Sequence, residues 1–354
     1  MRVDLRAAAR GLWPYLVGMA IGVAGAITFI VLHLPLPWFL GSLTATMVMA
    51  VLGVRFSAPK PLQIPMRAVL GVAVGTAFTP ALAARAGSML PSLLLMVPWV
   101  LVIMALGTWA FVRIAGFDRK TALFASVPGG LTDMVTMAED SGANVRAVTL
   151  IQLTRICLIV FLVPVWLIWH DGFDVAGQAS SGRFGVLETP LLDLAVLIAL
   201  GVVGYLAAKR IGLAGPAVVG PMVLSALIHV LGLTEAHVPR EAMIVAQVTL
   251  GVLLGAQFRG LTLTEFRTTM IWGVAFSFVL IALTLAVTEA VFRAFGFIYA
   301  PTLLAYAPGG QAELNLLAYA LRLDVAFVAL HHLFRLAICI LGVQIWLRIS
   351  DPPS

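Results

Sequence analysis

Charged residues are scarce in this sequence: they make up 11% of it, against 61% hydrophobic residues and a mean hydropathy of +1.05. A water-soluble domain carries roughly 25% charged residues. A soluble globular chain is therefore excluded, because this much apolar surface would form large exposed patches in water. Only two cysteines are present, Cys157 and Cys339, both inside apolar stretches. They read as packing residues, and a disulfide framework or thiolate metal centre is not expected. The six histidines are mostly scattered, so no metal centre and no cofactor are expected. GxSxG, Walker and HExxH motifs are missing, which removes the enzyme classes built on them. No polar stretch is long enough for a nucleic-acid-binding domain. The excess of 22 Lys and Arg over 16 Asp and Glu, with a pI near 9.8, reads instead as the basic loops of a cytoplasmic membrane face.

What remains is a chain suited to a lipid bilayer. Apolar stretches occupy about 13–34, 36–53, 62–82, 89–115 and 147–169, then 191–208, 216–232, 241–258, 268–292 and 325–347. Most are long enough to span a membrane with some tilt. Arg2, Arg6 and Arg10 before the first stretch imitate a signal peptide, but the run is too long for one and is expected to be retained.

Pro128-Gly129-Gly130-Leu131-Thr132-Asp133 returns as Pro308-Gly309-Gly310-Gln311-Ala312-Glu313, 180 positions later. At the same offset Asn144 meets Asp324, Gln152 meets His332 and Arg155 meets Arg335. Upstream, Gly71 and Gly75 meet Gly251 and Gly255. Such self-similarity points to duplication: residues 1–175 and 191–354 as two membrane repeats, 176–190 as their linker, all in one membrane domain. Corresponding loops differ in alternation in how many cations they carry. Lys209 and Arg210 follow the first stretch of the second half, where the first half has no cation; Arg113, Arg119 and Lys120 stand against Arg293 alone. Positive-inside bias gives this alternation when the halves are inverted. The fold class expected is an all-α polytopic membrane protein with two inverted-topology repeats, about 5+5 transmembrane helices and both termini cytoplasmic. The re-entrant segment of each half is then the Pro-Gly-Gly one, or else the short second stretch.

Pro128, Gly129, Gly130 and Pro308, Gly309, Gly310 interrupt helical sequence. Such breaks are tolerated in hydrocarbon only when buried or lining a wet cavity. They are kinks or, at matched places in two repeats, a substrate site to which Thr132 contributes. Asp133 and Glu313 follow in the first turn of the next half-helix, as coupling-ion ligands or as dipole-stabilising acids. Arg155 and Arg335, with Gln152 and His332 one turn before them, are expected either to pair with those carboxylates or to receive an anionic ligand. Asn144 and Asp324 read as helix N-caps.

The duplicated P-G-G-x-x-[DE], followed about twenty residues later by Arg, resembles the AbrB family of bacterial inner-membrane proteins, and the resemblance runs over nearly the whole chain. The family name implies regulation of gene expression, and a common label, ammonia monooxygenase, implies a copper site for which this sequence has no adequate ligand set. The function expected is a secondary transporter of a small anionic or zwitterionic solute, coupled to H⁺ or Na⁺. The alternative is a membrane-embedded sensor or regulator; a membrane monooxygenase comes third.

Overall fold

The computed structural model describes residues 5–80, 86–171 and 185–350, and among them every element is helical. In chain order these are α1 (Leu5–Val31), α2 (Ser42–Val51, entered through a π turn at Pro37–Gly41), α3 (Gln63–Gly75), α4 (Leu90–Arg113), α5 (Arg119–Ser126), α6 (Leu131–Asp140) and α7 (Val145–Asp171). They continue as α8 (Leu191–Arg210), α9 (Pro216–Val230), α10 (Arg240–Gly255), α11 (Ile271–Phe295), α12 (Tyr299–Tyr306), α13 (Gln311–Ala320) and α14 (Val325–Ser350). Among the described residues, seven helical stretches are long and apolar enough to cross a membrane: those containing α1, α4, α7, α8, α10, α11 and α14. In its described part, the apolar stretch expected over 62–82 contains the 13-residue α3, about 20 Å long at 1.5 Å per residue. Most of the linker expected at 176–190 falls outside the described residues.

The short helices are held by glycine. Gly71 and Gly75 of α3 lie directly on the backbone of α9 at Val218 and Met222, and Ser225 Oγ donates to Val72 O at 3.0 Å. Gly251 and Gly255 of α10 lie likewise on α2, against Phe39, Ser42, Leu43 and Thr46. Apolar attraction between helices is weak in lipid, and close backbone approach at small-xxx-small faces replaces it. Each of these helices therefore finds its tightest partner in the other half of the sequence.

The Pro-Gly-Gly segments form helical hairpins. Asp118 caps α5 by accepting from the Thr121 N–H at 2.9 Å. At the far end of the hairpin, the Asn144 N–H donates to Thr121 Oγ1 at 2.9 Å, so the chain returns to the level at which it started. Asn144 Oδ1 then accepts from the Ala147 N–H at 3.0 Å and starts α7, as Asp324 Oδ1 does for α14 through the Phe327 N–H at 3.0 Å. Both expected N-caps are in place. In the second hairpin the Phe297 and Phe327 rings, before α12 and in the first turn of α14, lie 5.5 Å apart. The bases of the two hairpins sit at opposite ends of α7: Thr121 beside its start, and Tyr299 stacked on His170 near its end at 4.5 Å.

Candidate functional site

A helix that breaks at Pro-Gly-Gly leaves carbonyl oxygens without helical partners. Two fully buried arginines take them. Arg155 of α7 donates to Val127 O at 3.0 Å and Ser126 O at 3.4 Å, and its other Nη to Gln152 Oε1 at 2.9 Å. Gln152 in turn donates to Phe124 O at 2.7 Å. The second hairpin repeats the arrangement: Arg335 of α14 donates to Ala307 O at 2.5 Å and Gly309 O at 2.7 Å, and His332 Nε2 lies 2.9 Å from Leu304 O. Arg155 and Arg335 each stand ten residues into a long helix. That is about 15 Å, so each tip is held at the same distance along its long helix. Each tip also lies against the long helix of the other half, Gly130 near Leu336 of α14 and Gly309 near Ile159 of α7.

The ion pairs expected of these arginines do not form: among the described residues neither Asp133 nor Glu313 bridges to either of them. The physical reason is the break itself. A guanidinium presents donors in a fixed fork, and the carbonyls released at Ser126, Val127, Ala307 and Gly309 accept from its Nη groups. The carboxylates fold back instead over their own helix starts, Asp133 against Gly130 and Glu313 against Gly310, where an added Cβ would collide with them. Asp133 also meets the backbone of Gly215 and the charge of Arg67.

Between the first hairpin and the α3–α10 pair lies a cavity of about 430 Å³. Its wall brings together Lys60, Gln63 and Arg67 from the α3 side, Thr132 and Thr136 from α6, Thr149 from α7, Gln257 after α10, and Glu313. Thr132 and Glu313 are the expected site residues that face it; Pro128, Gly129, Gly130, Gln152, Arg155, Pro308, Gly309, Gly310, His332 and Arg335 build the tips behind. The cavity wall carries two cations and one acid, with hydroxyls and amides between, and suits a small solute with a negative group. Arg67 and Lys60 escaped the sequence reading. Arg67 gave a usable signal, since it interrupts an apolar stretch as Arg155 does. Lys60, at the edge of a loop, gave none.

Residues 38–350 match the pattern of a family described as "Transition state regulatory protein AbrB". The chain is 26% identical over 342 residues to "Uncharacterized protein YhjN" of Bacillus subtilis (strain 168), covering 91% of this chain and 89% of that one. It is 24% identical over 320 residues to "Putative regulator AbrB" of Escherichia coli (strain K12), covering 88% and 89% respectively.

Proposed function

This chain belongs to the AbrB family, whose pattern spans nearly all of it, and from that premise we propose a secondary transporter rather than an enzyme. It moves a small anionic or zwitterionic solute across a bacterial inner membrane, with H⁺ or Na⁺ as the coupling ion. The carrying observation is the cavity in which Lys60 and Arg67 face hydroxyl groups of a broken helix and one carboxylate, Glu313. Ligand sites between broken half-helices near mid-membrane are the common plan of secondary transporters. The solute's negative group goes to Arg67 and Lys60, and Glu313 with Asp133 handles the coupling ion. Arg155 and Arg335 act as positioning residues that hold the tips. Hairpin bases at opposite ends of α7 support two inverted repeats of five crossings each, with both termini cytoplasmic. That reading counts α2, α3 and α9 as short crossings.

The test is uptake of labelled short carboxylates and amino acids into proteoliposomes, under an imposed pH or Na⁺ gradient. Arg67→Gln should lower accumulation of the active solute at least tenfold, the effect of losing one charge-assisted contact of about 1.5–3 kcal/mol. The folded state should survive, since Arg67 borders a cavity. A solute that stabilises the protein thermally but never accumulates above protein-free vesicles would sink the transport reading. It would leave a membrane-embedded sensor, the second reading, favoured by the relative named as a regulator.

A further inference from the structure

A second cavity, of about 630 Å³, lies outside the proposed solute site, on the outer seam between α4 and α14. Its walls are apolar, from Leu101 and Ala105 on α4 to Trp346 on α14, while Arg113 and Arg119 stand at one end. Leu101, Ala105 and Trp109 are exposed, so the groove is open along its length to whatever surrounds the protein. From Leu101 to Arg113 is twelve residues of one helix, about 18 Å. A single leaflet of a ~30 Å hydrocarbon core is about that deep. Trp109 and Trp346 lie toward the cationic end, the level at which tryptophan collects in membrane proteins. Neither Arg113 nor Arg119 forms an ion pair among the described residues, whereas Arg293, at the corresponding turn of the second half, is held by Glu289 at 2.5 Å. An apolar slot one leaflet deep with two unpaired cations at its mouth matches one occupant in both shape and charge. We propose that this groove binds an anionic phospholipid, its phosphate on Arg113 and Arg119 and one acyl chain along α4.

The experiment uses the full chain in detergent, with bound lipid counted by native mass spectrometry and stability followed by thermal unfolding. Phosphatidylglycerol should bind and stabilise more than phosphatidylcholine. Arg113→Gln with Arg119→Gln should weaken phosphatidylglycerol about thirtyfold, the effect of two surface cations on an anionic lipid, and leave phosphatidylcholine unchanged. Ala105→Trp, which fills the groove from its open side, should displace the acyl chain with both arginines intact, and Arg293→Gln should change nothing. Equal binding of the two lipids, or a double variant that keeps its preference for phosphatidylglycerol, overturns the proposal. So does glycerol phosphate giving the same stabilisation as the lipid, which would mark a free-anion site.

Discussion

At the scale of single residues, the two buried arginines decide how the site is understood. Sequence shows charges but not the carbonyls that a helix break sets free. Counting charges offers an Arg–carboxylate pair or an anionic ligand, whereas the backbone supplies the acceptors. The difference is measurable. If Arg155 were the counter-ion of Asp133, replacing both with Arg155→Gln and Asp133→Asn would restore much of the stability lost in Arg155→Gln alone, because no orphan charge would remain. With Ser126 O and Val127 O as the acceptors, the double variant should stay as unstable as the single one. Thermal unfolding in detergent should show both about 2 kcal/mol or more below the parent, the cost of unsatisfied buried groups. Recovery in the double variant would reinstate the ion pair.

At the scale of elements, the broken helices were legible because Pro-Gly-Gly interrupts an otherwise apolar sequence twice, and the capping roles of Asn144 and Asp324 were legible from their places before long helices. What packs against what was not. The glycines of α3 and α10 advertise close approach, yet nothing in their spacing says that the partners are α9 and α2. Gly251 should therefore be intolerant: a Cβ there meets Phe39 O at 2.7 Å and Leu43 N at 3.0 Å, so neighbouring backbone must shift. Gly251→Ala should destabilise by roughly 1–3 kcal/mol, as overpacking does. Gly87→Ala, with open space at its Cβ, should stay within about 0.5 kcal/mol of the parent. Similar melting temperatures for the two variants would argue against the α2–α10 contact.

At the scale of the whole molecule, sidedness is the property with most consequence. The basic end of α8, at Lys209 and Arg210, and the exposed turn at Ile298 before α12 belong to opposite ends of the bundle if the two hairpins enter from opposite faces. Single cysteines at Lys209 and Ile298, in a background with Cys157 and Cys339 replaced, should react with an impermeant maleimide from the cytoplasmic and periplasmic sides respectively. Reaction of both from one side would mean an even number of crossings between them and would overturn the count of α9, α10 and α11 as three crossings. The alternation of loop charge is the sequence signal on which this expectation rests, whereas the depth of each crossing has none, since a 13-residue helix and a 27-residue helix both read simply as apolar.

The contact between α3 and α9 also has a timetable. Val72 and Ser225 are 153 residues apart in the chain, and a ribosome adding about 5–20 residues per second needs on the order of ten seconds to cover that interval. Throughout it, the glycine face of α3 has already been made and its partner has not. During biosynthesis that face is open to lipid, to the insertion machinery or to another nascent chain, and the order of synthesis sets how long the choice stays open.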